Sequence, residues 1–494
     1  MDEETNDFKD TSENKTFLDS KGKISKGNLE DSSKEKLFNN LIDTAEIRLF
    51  HVEIILFQFL VLFLNGIHMT TMSALYIPIQ NFYSLNDFDM IWISNSGIIS
   101  VGVGSILSNY SKLVPSRLIG VKVFTFIILV TNIIIGMFSN IYIFIFSRII
   151  LCISLGIVML IMNNILCEML PIKNRSLFMT IASLGFTSGC MFLNVMSLFI
   201  TPNLEIENLH ILLLVMSIPA FFIWTVFMLR MEDSPRNLIL NNKTDEAIRV
   251  LEKIIQRRVA ESEREILLKE INRSSNNSLE RKLSSMFQRK FIVITLLLVI
   301  IWTANSYVAY GGYVVLTLVK KEINKNLNPN KLSNNDVIEE VNYNKIIKDT
   351  LFVYLISSPG CLLAGFITET KFFGRKITIF IGFLFMGIFC LVGIIFEQNF
   401  CLFLGLSTFF MNFTFSGANN YSTEIYPTKI RDKSIGFLYF TYRVGAVLSQ
   451  SGAMDFYKAH YMLPYYVFVV ICIATSIFTL CLPYDTNGKP LDIE

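Results

Sequence analysis

Charge is the first thing this chain is short of. Lys, Arg, Asp and Glu make up only 17% of its 494 residues, against 52% hydrophobic ones, which is far from the usage of a soluble globular domain. The net charge of +2 gives no basis for a nucleic-acid partner, because the basic residues are scattered over many short loops. Cysteine spacing excludes a zinc cluster: Cys152, Cys167, Cys190, Cys361, Cys390, Cys401, Cys472 and Cys481 lie in or beside apolar runs, so buried thiols are expected rather than a disulfide framework. No nucleophile–base pair, metal motif or phosphate loop is present, so neither an enzyme nor a cofactor is expected. Residues 1–45 are polar and lack the apolar core of a secretory signal, so no cleaved leader is expected and the stretch reads as a disordered tail.

Long apolar runs are what the chain does have. A run of about 20 residues crosses a bilayer as a helix, and twelve stretches qualify: Phe50–Leu75, Met90–Tyr110, Val121–Ser139, Ile141–Met162, Leu177–Ile200, Ile211–Leu229, Phe291–Leu318, Leu351–Phe366, Ile377–Phe396, Cys401–Ala418, Ile435–Met454 and Leu463–Leu482. Run eight is short. Arg48, Arg117, Arg175, the arginines from Arg230 to Arg289, Arg375 and Arg431 all fall on one side of these runs. The excess of positive charge on cytoplasmic loops then places both termini in the cytoplasm. The expected plan is a tail (1–45), a six-helix bundle (46–229), a cytoplasmic linker (230–290), a second six-helix bundle (291–482) and a second tail (483–494). In the linker, Thr244 to Ile255 has an N-cap, early acids and apolar residues at helical spacing, which predicts an amphipathic surface helix.

A polar motif repeats across the two apolar halves. Asn163-Asn164, Glu168, Pro171, Lys173 and Arg175 recur as Asn419-Asn420, Glu424, Pro427, Lys429 and Arg431, every position displaced by 256 residues. Gly189 and Gly445 extend the match at the same displacement. Such a repeat marks an internally duplicated membrane protein. Glu168 and Glu424 end helices where Arg175 and Arg431 open the next. With Arg117, Glu369, Arg375 and Arg236 nearby in topology, these charges are expected to pair across the inner ends and bias an opening equilibrium. The bland alternative is a solvated, topology-setting cluster.

This plan resembles the major facilitator superfamily of secondary transporters over roughly Leu49 to Leu491. Gly365-Phe366-Ile367-Thr368-Glu369 followed by Gly374-Arg375-Lys376 looks like the loop between its helices 8 and 9, with Glu where the family usually has Asp. The first-half counterpart near Asn109 to Gly120 is degraded to Arg117. Asp233-Ser234-Pro235-Arg236 resembles the sugar-porter motif after helix 6, and Leu482 to Leu491 the tail of the organic-ion and synaptic-vesicle-glycoprotein branches. The resemblance implies an all-α transporter working by alternating access as a monomeric unit in a lipid bilayer, in the plasma membrane or alternatively an organelle. It implies a small-molecule substrate and protons or another coupling ion.

Ionisable groups inside the membrane are costly and functional by default. Arg443 lies roughly 14 Å along its helix from Ser434 at about 1.5 Å per residue, near the midplane. Its Arg-Val-Gly run is similar to the anion-binding segment of helix 11 in organic-anion transporters. A guanidinium in a dry cavity suits a carboxylate. The expected wall is aromatic with sparse polar groups: Asn305, Tyr307, Tyr310, Tyr354, Phe415, Tyr439 and Tyr442. Arg148 resembles an arginine that packs within the first half. His68, or less directly Glu53, is the candidate proton site. Together these residues point to an organic anion, such as a monocarboxylate vitamin of the pantothenate or nicotinate type. The alternatives are a hexose or polyol transporter, an organic cation transporter and a non-transporting nutrient sensor. A hexose site needs dense amide groups, whereas Ser183 stands where sugar porters place a glutamine.

Overall fold

Apolar segments in lipid must satisfy their backbone groups internally, and every described element of this chain is a helix or a helical turn. The structure is a computed structural model that describes residues 41–42, 45–108, 117–171, 175–201, 206–240, 243–259, 264, 287, 291–327, 343–370, 373–426, 428–483 and 485–486. The expectations for the first 40 residues, most of the linker after residue 259, the loop at 328–342, the degraded motif at 109–116 and the last eight residues lie outside the described residues.

In the first part of the chain, α1 (Leu49–Ala74) and the short α2 (Tyr76–Tyr83) precede α3 (Asp87–Leu107), α4 (Arg117–Met137), α5 (Ile141–Met169) and α6 (Arg175–Ile200). Then come α7 (Ile206–Val215) and α8 (Ser217–Arg230), which together contribute one apolar span. Two short helices follow, α9 (Pro235–Leu240) and α10 (Thr244–Ile255). The second part holds α11 (Ile292–Leu327), α12 (Tyr343–Ser357), α13 (Pro359–Thr368), α14 (Gly374–Ile395), α15 (Phe400–Ile425), α16 (Thr428–Ala459) and α17 (Leu463–Leu480).

Among the described residues, 11 helices are long and apolar enough to cross a membrane. The eleventh expected run is the exception. Its helix, α16, has 32 residues, ample for a crossing, but Arg431, Asp432, Lys433, Arg443 and Gln450 lower its hydropathy. It packs between α11 and α3 rather than against lipid alone, so its polarity belongs to the interior. The short eighth run is continued by neighbouring turns: Ile347–Thr368 spans 22 residues, with Pro359 at the start of α13 separating it from α12.

Packing repeats along with sequence. In the first part α1 packs on α6, α3 on α5 and α4 on α5; in the second, α11 packs on α16, α12 and α13 on α15, and α14 on α15. The repeated glycine explains one of these pairs. A Cβ at Gly189 would stand 2.0 Å from the Phe63 carbonyl oxygen on α1, and one at Gly445 would stand 2.2 Å from the Ser306 hydroxyl on α11. Only glycine admits so close an approach. The two parts meet where α3 touches α16 and where α6 touches α12 and α13. The amphipathic helix forms as expected, with Ala247, Ile248, Val250, Leu251 and Ile254 buried, but its N-cap is Lys243 and makes no side-chain cap bond.

Candidate functional site

The arginine-rich end is tied shut by side chains from both parts. Arg117 at the start of α4 binds Glu168 at 2.9 Å and also bonds Asp432 of α16. Asp432 takes a second bond, from Asn164 at 2.9 Å. The repeated asparagines meet each other, Asn419 Nδ2 donating to Asn163 Oδ1 at 3.4 Å. Glu369 reaches across to accept from the Ser176 backbone N–H at 3.0 Å, at the first turn of α6, where a carboxylate offsets the positive helix end. Burial pushes its carboxyl above the ordinary value, with Arg375 and the Ser176 N–H opposing.

The second-part counterpart of the Arg117–Glu168 pair is Arg375–Glu424, at 3.0 Å with the guanidinium 2% exposed. Arg375 also donates to the Thr368 carbonyl at 3.0 Å and lies 3.8 Å from Glu369. A strap after α17 closes over this pair. Asp485 accepts from the backbone N–H groups of Arg375 and Lys376 at 3.1 and 3.0 Å, and Thr486 donates to Glu424 at 2.7 Å. Gly374 turns α14 into this contact with φ +60.

Other expected gate residues are placed differently. Arg175 donates to the Leu170 carbonyl at 3.2 Å and so caps the end of α5. Arg431 is wholly buried, and its charge reaches Glu168. Arg236 is buried on α9, and just before that helix Asp233 accepts from the Ser234 N–H at 2.8 Å and from the Asn237 side-chain amide at 2.9 Å. Burial also raises the Asp233 carboxyl above its ordinary value. Asp432, Asn163, Asn164, Ser176, Asp485 and Thr486 were not on the expected list. The duplicated asparagines pointed at Asn163 and Asn164, and the tail motif from Leu482 to Leu491 contained Asp485 and Thr486; Asp432 and Ser176 had no such signal.

Deeper in the bundle, Arg443 lies at the α16–α3 contact and is 3% exposed. Its Nη1 donates to the Tyr310 hydroxyl and to Met69 Sδ of α1, the latter at 3.5 Å. Its guanidinium carbon lies 5.4 Å from the Tyr442 ring centre and 5.9 Å from that of Tyr310. Nε is buried with no hydrogen-bond partner among the described residues. Behind it an aromatic group gathers on Trp302, which the sequence reading missed: Phe415, Tyr439 and Tyr442 have ring centres 5.5, 5.1 and 5.7 Å from it. Tyr439 donates to Asn419 at 3.2 Å, linking this group to the asparagines of the arginine-rich end.

The remaining expected wall residues divide. Tyr354 stacks on Tyr313 with centres 5.1 Å apart and has Thr70 and Cys190 of the first part as neighbours. Asn305 is buried and donates to the Met411 carbonyl at 3.4 Å. Tyr307 does not join the group, packing on Phe468 and against Gly452 instead. Nor do the two candidate proton sites sit together. His68 is buried with Nε2 3.3 Å from the Asn132 amide, whereas Glu53 is half exposed and ion-paired to Arg230 at 3.3 Å.

Comparison with known proteins gives one direction. Residues 49–323 match the family model described as sugar (and other) transporter, and residues 350–493 match that of the major facilitator superfamily. Among curated proteins, the synaptic vesicle 2-related protein of Xenopus laevis is 24% identical over 66% of this chain and 58% of its own length. Its Bos taurus counterpart is 25% identical over the same shares. The match thus spans less than two thirds of these relatives. Organic cation/carnitine transporter 7 of Arabidopsis thaliana is 24% identical over 66% of this chain and 69% of its own. Among solved structures, the proton:xylose symporter XylE bound to 6-bromo-6-deoxy-D-glucose superposes with a TM-score of 0.70 at 19% identity, covering 89% of this chain and 97% of that one. The partially occluded inward-open form of XylE from E. coli gives 0.68 at 19%, covering 90% and 100%. At these identities the structural likeness concerns the fold.

Proposed function

The chain belongs to the sugar (and other) transporter family of the major facilitator superfamily, and from that premise we propose that it carries a small organic anion across a membrane by alternating access. The carrying observation is Arg443: a guanidinium buried where the two parts meet, held by hydroxyl, thioether and ring contacts. A buried charge without an opposite charge is costly. A carboxylate entering between α16 and α1 supplies that opposite charge in bidentate geometry. The Trp302 group offers the apolar remainder of the cargo a flat aromatic surface.

Alternating access needs a gate that closes and opens. The Arg117–Asp432, Asn163–Asn419 and Ser176–Glu369 contacts join the two parts at the end that the positive-inside rule assigns to the cytoplasm. Breaking them opens the path inward. The intrahalf pairs Arg117–Glu168 and Arg375–Glu424 hold the partners in position while the interhalf contacts exchange. His68 is the candidate for a coupled proton; a pH profile of uptake flattened by His68→Gln would assign it that role, and an unchanged profile would remove it.

The first test is binding. Purified protein is screened by thermal shift against carboxylates, organic cations and hexoses at two pH values. The proposal expects carboxylates alone to raise the melting temperature, and Arg443→Gln to abolish that rise while its ligand-free melting stays cooperative. Stabilisation by a hexose or a cation that survives Arg443→Gln would replace the anion reading with the corresponding alternative.

A further inference from the structure

Arg148 is a buried guanidinium of the first part with no role assigned to it above. It lies on α5 and is 4% exposed, and its Nε, like that of Arg443, is buried without a hydrogen-bond partner among the described residues. No described carboxylate forms an ion pair with either arginine, and the titratable neighbour of Arg148 on its own helix is the Cys152 thiol.

Two features bring the two arginines toward one place. Cys152, one turn from Arg148 on the same face of α5, is reached by the charges of both Arg148 and Arg443. On α1, the charge of Arg148 reaches His68, and the adjacent Met69 takes the bond from Arg443 at 3.5 Å. Each arginine also packs against a glycine of α3, which lies between the two halves here. A Cβ at Gly97 would stand 2.9 Å from Nε of Arg148, and one at Gly102 would stand 3.1 Å from Cβ of Arg443.

We propose that Arg148 and Arg443, one from each half, form a two-point anion site, so that the preferred cargo is a dianion such as an α,ω-dicarboxylate rather than a monocarboxylate. Two buried like charges that both act on Cys152, with no described carboxylate paired to either, are electrostatically unsatisfied. A cargo with one charge relieves one guanidinium, and a cargo with two relieves both. A dicarboxylate held in this way also bridges the halves, so occupancy itself favours the arrangement in which they close around the site. This refinement rests on the anion reading above.

The test uses the full-length protein and matched probes: succinate, glutarate and adipate, each beside its monomethyl ester, which keeps the length and removes one charge. Thermal shift at pH 7.5 should show half-saturation by the best diacid at a concentration at least ten-fold below that of its ester. In Arg148→Gln, diacid and ester should converge on the ester value, Arg148→Lys should keep part of the preference, and Arg443→Gln should lose both. Equal potency of diacid and ester in the unaltered protein would overturn the two-point site and leave the anion reading standing. Failure of every carboxylate to bind would remove both. A diacid preference that persists in Arg148→Gln would assign Arg148 to packing on α3. Should that variant not fold, the comparison in the unaltered protein decides alone.

Discussion

Arg443, Trp302 and Glu369 show how far single residues could be read. Arg443 was legible because an arginine inside an apolar run is costly enough to stand out. Trp302 was not, since aromatic residues on buried faces are mostly packing, and it is the fold that brings three rings and the Ser422 hydroxyl onto it, the latter at 3.0 Å. Trp302→Phe should keep most of the packing and lose that hydrogen bond, costing about 1 kcal/mol in a denaturation series, whereas Trp302→Ala should cost about 3–5 kcal/mol. Glu369 makes a pH prediction. Its carboxyl is raised by burial in the closed arrangement, so the closed form binds a proton more tightly than one in which Glu369 meets water. Acidification from neutral toward the ordinary glutamate range should therefore shift the population toward closure at the arginine-rich end. Spin-label distances between the ends of α6 and α13 would record it, and Glu369→Gln should remove the dependence.

At the scale of elements, the duplication was readable and its consequences were not. The repeat predicted that Glu168 and Glu424 play equivalent parts, and their partners are equivalent: Arg117 opens α4 and Arg375 opens α14. What the repeat concealed was that Arg175 bonds a carbonyl and that Asp432, which the matched motif does not contain, carries the contact between halves. Contacts between halves join residues hundreds of positions apart, and no local pattern encodes them. Asp432→Asn should weaken closure by about 1–3 kcal/mol, roughly a ten-fold shift in population per 1.4 kcal/mol, read as faster labelling of a cysteine placed behind the gate. The strap after α17 should act likewise: Asp485→Ala removes the acceptor for two N–H groups at the start of α14 and should raise the same labelling rate. On the close-packed α1–α6 contact, Gly189→Val should cost about 1–3 kcal/mol of stability through overpacking.

For the whole molecule, composition and run length were sufficient to show a helical membrane protein, because the bilayer leaves few ways to satisfy a backbone. The family match and the XylE superposition agree with that architecture. Cargo was least legible, since it depends on which side chains from two separate halves face one another. The central claim is that those halves move an anion anchored on Arg443. Counterflow in reconstituted vesicles tests it most directly: vesicles loaded with an unlabelled carboxylate that binds in the thermal-shift screen should concentrate the same labelled carboxylate from outside. Arg443→Gln should reduce that uptake to the level of empty vesicles. Binding without counterflow would contradict transport and favour a sensor, and counterflow undiminished in Arg443→Gln would contradict the site.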